Sequence, residues 1–158
     1  MAKRRLRVAE HSTGLKTLLK SMEQRGGDLS PVWRHFAVYM GHQTGQTFER
    51  LRLGGTYRGV TWKYFSKNYI GKERPSGQIV EHGDALLDDT GTLKANAIDP
   101  QLKIQPKRMV MGINLNYAAA QQRMRPFLFF HQPKDGQMLD RMAGAYALGG
   151  MDELRKVR

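Results

Sequence analysis

Residues 30–52, SPVWRHFAVYMGHQTGQTFERLR, set the fold. Trp33, Phe36, Ala37, Met40, Thr44, Thr47, Phe48 and Leu51 recur at steps of three and four, which places them on one stripe of an α-helix of roughly six turns. Asp28-Leu29-Ser30-Pro31 marks the start. The Ser30 hydroxyl is placed to cap free N–H groups, and Pro31 takes the first helical position, where no donor is needed. Gly54-Gly55 marks the end. Gly41 and Gly45 lie inside the pattern, and each costs a helix about 1 kcal/mol relative to Ala. Such a helix needs a surface to lie on, and strands later in the chain supply it.

Upstream, residues 1–11 read as a basic arm carrying Lys3, Arg4, Arg5 and Arg7, charged enough to find an anionic partner. Its charge precedes no apolar run, so it does not read as a secretory signal. Leu15, Leu18, Leu19 and Met22 then predict a short amphipathic helix that ends at Gly26-Gly27.

Downstream, Val60, Trp62 and Tyr64 alternate with Thr61 and Lys63, the period of a half-buried strand near 57–65. Tyr57, Phe65 and Tyr69 make this an aromatic edge among Arg58, Lys63, Lys67 and Lys72. That composition fits an anchor surface for another protein better than a stack for single-stranded bases, because no single-strand-binding signature accompanies it. Residues 71–85 carry Gly71, Pro75, Gly77 and Gly83 without hydrophobic periodicity, a long loop expected to be mobile until a partner orders it. Asp88-Asp89-Thr90-Gly91 reads as a turn capping a short helix from Leu93 to Ala97. Strands follow at 101–105 and 108–114, the second apolar on both faces and so expected to be central. One or two helical turns follow from Tyr117 to Gln122. Residues 126–130, bounded by Pro126 and Pro133, read as a buried strand. Asp135 opens a last helix with Met138, Leu139, Met142 and Tyr146 on one face, ended by Gly149-Gly150. A second basic terminus, with Arg155, Lys156 and Arg158, closes the chain.

The fold class is therefore α+β: a small mixed or antiparallel sheet of about four strands against a long helix, with a C-terminal helix and basic tails. A length of 158 residues supports a single domain at 12–150 between an arm at 1–11 and a tail at 151–158. The net charge of +12 makes nucleic acid or an acidic protein surface a candidate partner, while a solvated basic face accounts for it equally. There is no cysteine for a disulfide or thiolate site, and no apolar run approaches the length of a membrane span.

A search for chemistry finds no catalytic constellation and no cofactor or metal site. His11, His35, His42, His82 and His131 lack metal-ligand spacing, and Gly54 to Gly59 lacks the Lys-Ser/Thr of a phosphate-binding loop. Asp84, Asp88, Asp89 and His82 are joined only by nearness in sequence, a weak basis for an enzyme.

Three landmarks stand in order. They are Gly59-Val60-Thr61-Trp62, then Leu87-Asp88-Asp89-Thr90-Gly91-Thr92-Leu93, then Gly112 to Tyr117-Ala118 followed by Arg125-Pro126-Phe127-Leu128. Together they resemble the phage virion morphogenesis family, the tail completion proteins of tailed phages, over residues 30–147. Only Ala119 to Met124 separates the last two blocks, fewer residues than family members often have. The resemblance implies a non-enzymatic α+β subunit of the virion, made in the host cytoplasm. It also implies a ring, hexameric by the tail symmetry of the family, in contact with neck, connector and tail-tube or terminator proteins. Its motif residues fall here on Trp62, Asp89, Thr90, Gly91, Leu93, Tyr117, Arg125, Pro126, Phe127 and Leu128. Arg125, with a planar fork of donors, is expected to pair with Asp88 or Asp89. The alternative from another class is a basic nucleic-acid-binding protein, in which the arms and the aromatic edge touch DNA.

Overall fold

In a computed structural model, which describes Lys20, residues 27–87 and residues 90–157, the long helix runs from Ser30 to Leu51 (α1). Its start differs from the expected cap. The Ser30 N–H donates to Asp28 Oδ1 at 2.8 Å, so the Asp28 carboxylate, not the Ser30 hydroxyl, accepts the capping bond. The order then continues as β1 (Gly55–Tyr57), β2 (Val60–Trp62), α2 (Thr92–Ile98), β3 (Gln101–Gln105), β4 (Arg108–Gly112), α3 (Ala118–Met124) and α4 (Lys134–Leu154). The chain is mixed α+β, with a long helix in its N-terminal half and a C-terminal helix. The N-terminal arm and the helix expected at 12–25 lie outside the described residues, apart from Lys20.

The four strands form two separate antiparallel pairs, β1–β2 and β3–β4, rather than one sheet. The first pair is a tight hairpin. Arg58 (φ 50°) and Gly59 (φ 78°) both take left-handed backbone between Tyr57 and Val60, the two-residue turn whose twist matches a tight hairpin. Gly55 faces Trp62, Thr56 faces Thr61 and Tyr57 faces Val60, so β2 pairs backward onto Gly55–Tyr57 and ends at Trp62. β4 pairs only with β3, and Val110 and Leu102 are exposed, so β4 is not the central strand that its two-sided apolar pattern predicted.

The described residues group into two compact units. The first takes 27–37, 102–111 and 132–157. Its buried apolar side chains include Leu29, Val32, Trp33 and Phe36 from the start of the chain segment and Leu139, Met142, Ala143 and Leu154 from α4. The Leu29 N–H donates to the Pro106 carbonyl at 3.0 Å, and the His35 imidazole donates from Nε2 to the Val157 carbonyl at 3.2 Å. Gly150 breaks α4, but the chain resumes helical backbone to Leu154, which is fully buried. The residues after Gly150 thus contribute an anchor to this unit.

The second unit takes Val38–Gln101 and Gly112–His131. Its core joins Phe48, Leu51, Trp62, Leu86, Leu93, Ala97, Ala118 and Phe127. Phe48 sits edge-on to Trp62 at 5.5 Å between centroids and tilted against Phe127 at 5.6 Å, geometries that aromatic quadrupoles favour. Buried Thr47 satisfies its hydroxyl by donating to the Gln43 carbonyl one turn back, at 2.9 Å.

Candidate functional site

The expected strand at 126–130 is not one; its backbone partners are side chains. Gln122, on α3, accepts from both the Phe127 and Leu128 N–H groups at Oε1, each at 3.1 Å, and donates from Nε2 to the Leu128 carbonyl at 2.8 Å. The Trp62 indole N–H donates to the Pro126 carbonyl at 2.9 Å. Buried backbone must find partners somewhere, and one amide plus one indole replace the ladder here. Phe127 is free to turn wholly inward and joins the core.

Above this segment the second unit opens a cavity of about 830 Å³. One wall follows β2, where Tyr64, Phe65 and Tyr69 form a row with centroid spacings of 5.2 and 5.3 Å. The Tyr64 hydroxyl is fixed at both ends, donating to the Asp84 carbonyl at 3.2 Å and accepting from the Gly83 N–H at 2.9 Å. The opposite wall carries Thr90, Gly91 and Leu93 around the start of α2, and Tyr117, Gln121, Met124 and Arg125 on and beside α3. Tyr69, Tyr117 and Met124 are large apolar side chains left exposed.

Among the described residues two arginines border the cavity and no carboxylate does. Arg74 is committed: its guanidinium donates to Asp84 Oδ2 at 3.0 Å and lies over the Phe65 ring at 5.6 Å. Arg125 donates from one terminal nitrogen to the Lys63 carbonyl at 3.2 Å. Its Nε and the Gln121 Oε1 are buried and have no hydrogen-bond partner. Burial pushes the Arg125 guanidinium below its ordinary range, opposed by the nearby Tyr69 phenol, and an arginine so placed stays protonated at neutral pH.

The motif residues read from sequence divide between core and cavity. Trp62 and Phe127 are core, Leu128 packs against it, and Pro126 supplies the carbonyl that Trp62 reads. Leu93 belongs to both, while Thr90, Gly91, Tyr117 and Arg125 line the cavity. Asp88 and Asp89, the partners expected for Arg125, lie outside the described residues; the described contact of its guanidinium is a backbone carbonyl instead. Gly91 is the N-cap of α2 and takes left-handed backbone (φ 72°), and the carboxylates expected to take part in this cap, Asp88 and Asp89, lie outside the described residues. Arg155 and Lys156 are exposed after α4, with Lys156 bonded to Glu153. Lys3, Arg4, Arg5, Arg7 and Arg158 lie outside the described residues. Asp84, considered for chemistry, is used structurally by Arg74 and by the Glu81 N–H.

Sequence reasoning passed over Gln121, Gln122 and Met124. A signal was available: two glutamines stand just before a Pro-containing apolar run that cannot complete a ladder. Among the described residues no group of three His, Cys, Asp or Glu side chains could hold a metal, and no helix is long and apolar enough to cross a membrane. No family model, curated protein or solved structure matches the chain.

Proposed function

We propose that this chain is a non-enzymatic structural subunit of a tailed-phage particle, a tail completion or neck protein. It joins a closed ring, hexameric by analogy with the family it resembles, at the head–tail junction. It is made in the host cytoplasm and carried in the virion. The observation that supports this most is where the resembling stretches lie. Trp62, Leu93, Ala118 and Phe127 come one or two from each of three blocks far apart in sequence, yet they share one core, and Trp62 is bonded to Pro126 at 2.9 Å. A closed ring needs heterologous contacts, one patch meeting a different patch on the next copy, and exposed Tyr69, Tyr117 and Met124 offer one such patch. The net charge of +12 steers docking toward acidic connector or terminator surfaces.

The test uses a phage whose genome carries this chain. Immunogold labelling should decorate the head-proximal end of the tail, and deletion should leave heads and tails unjoined. Joined, infectious particles from the deletion would overturn the reading, as would native mass spectrometry of purified necks giving one copy per particle.

The second reading, a basic nucleic-acid-binding protein, is favoured by the same charge. Phosphate contacts make affinity fall steeply with salt whatever the base sequence, so a steep salt slope on duplex and single-stranded DNA would favour it.

A further inference from the structure

We propose that the cavity beside α3 is a receptor for a short acidic segment of a partner protein, one that inserts an aromatic or aliphatic side chain and sets a neighbouring carboxylate against Arg125. It rests on the assembly reading only in taking the ligand to be a protein.

The walls call for an apolar group. Tyr64, Phe65 and Tyr69 form an aromatic side, Leu93 an aliphatic floor, and a volume of about 830 Å³ accommodates a large side chain together with some of its backbone. The polar groups set the rest. A buried donor or acceptor left unmatched costs about 1–3 kcal/mol, and two of the lining residues each carry one beneath the cavity surface, Arg125 at Nε–H and Gln121 at Oε1. A carboxylate entering the cavity answers the Arg125 guanidinium with charge assistance, and a peptide N–H answers the Gln121 amide once the two side chains turn toward it. Among the described residues no acidic one lines the cavity, and Arg74 already answers Asp84, so Arg125 is the lining cation that meets no described carboxylate. A nucleic-acid strand fits less well. It needs a track of cations for successive phosphates, and the rings here stack on one another rather than standing apart to take a base between them.

The probe is a fluorescein-labelled peptide Gly-Ser-Asp-Phe-Asp-Ser-Gly, followed by fluorescence anisotropy with the full chain. Saturable binding is expected, weakened about tenfold or more when both Asp are replaced by Asn or Phe by Ala. Arg125→Gln should lose a similar factor. Arg125 is half-buried and its replacement could disturb the fold, so Met124→Glu is the second variant. Met124 is 60% exposed, and a carboxylate at the mouth should repel the peptide while the thermal unfolding transition stays in place. Absence of saturable binding at millimolar peptide would overturn the proposal. So would wild-type affinity in a folded Met124→Glu protein. Oligothymidylate binding that exceeds the peptide's and is lost in Met124→Glu would reassign the cavity to nucleic acid and also overturn it. Ring formation is read separately by native mass spectrometry, so failure of the ring leaves the peptide result standing, and the reverse.

Discussion

A β-carbon placed on Gly41 would lie 2.3 Å from the carbonyl oxygen of Ile98, so α1 and the last residue of α2 touch backbone to backbone. Gly45, one turn on, meets only the Ile98 side chain, at 3.5 Å. The two glycines that weaken the helix pattern therefore have different reasons to be there. Gly41→Ala should destabilise by about 1–2 kcal/mol, because the clash with a fixed carbonyl outweighs the gain in helix propensity. Gly45→Ala should be neutral or stabilise by up to about 1 kcal/mol. Urea midpoints of the pair decide it; equal stabilisation by both would mean that the close approach is wrong.

Gln122→Ala should release the 126–130 segment. It removes three hydrogen bonds at once and strands the Phe127 and Leu128 amides, a loss of about 2–3 kcal/mol. Hydrogen exchange at those two amides should speed up by a larger factor than at amides of α1. Unchanged protection there would show that another group holds the segment.

Phe127→Ala should lose about 3–5 kcal/mol, the cost of emptying a buried aromatic site. Phe127 is 2% exposed and packs against Phe48, so the expected readout is loss of soluble, cooperatively unfolding protein. A normally folded variant that fails only to assemble would make the segment an interface instead.

What the sequence made legible follows from the range over which each signal acts. The stripe from Trp33 to Leu51 and the alternation at 101–105 and 108–114 report local periodicity, and helix and strands lie there, the last strand ending at Gly112. The strand expected at 126–130 is absent because apolar runs are ambiguous. Phe127 is as buried as a strand would make it, but the hydrogen-bond partners come from Gln122 and Trp62, which no local pattern reveals. The tight β1–β2 turn rests on Arg58 adopting positive φ, a choice open to few non-glycine residues and invisible in composition. Trp62, Leu93, Tyr117 and Arg125 were picked out by resemblance to known motifs. That Leu93, Tyr117 and Arg125 border one cavity with Gln121 depends on contacts between distant segments.

Acid should weaken the fold through two exposed carboxylates. The Lys94 hydrogen bond, and then that ammonium's charge, hold Glu49 below its ordinary range, and the Ser30 hydroxyl followed by its amide does the same for Asp28. Each folded pKa lies below the unfolded one. The stability these groups contribute is therefore fully present above the unfolded carboxylate pKa, about 4, and is lost as pH falls through the folded value. The effect is small because both groups are solvated. Glu49→Gln should lower stability slightly at pH 7 and flatten the decline below about pH 4 by the same small amount. An identical acid limb in the variant would remove Glu49 from the account.

The segment 71–85, read from sequence as a long loop, forms an irregular hairpin tied back on itself. The Gly71 N–H donates to the Val80 carbonyl at 2.8 Å, Val80 N–H to Lys72 at 2.9 Å, and Arg74 N–H to Gln78 at 2.7 Å, while Glu73 bridges Ile79. Composition missed this because one residue, Val80, is buried, and one charged side chain, Arg74, is buried beside it in the chain's hairpin. The Arg74 cation is held by Asp84 and by the Phe65 face, so the hairpin depends on a largely buried charge with a half-exposed partner. Neutralising Asp84 removes the carboxylate that answers that charge. Asp84→Asn should therefore cost about 2 kcal/mol, below the full value for a wholly buried pair, and raise exchange at Gly71, Arg74 and Val80 together. Arg74→Met/Asp84→Asn should recover part of the loss, since no charge is then left unmatched. If the free chain exchanges all of these amides at the rate of an unstructured peptide, the hairpin does not stand without a partner, and the expectation of a loop ordered only on assembly is restored.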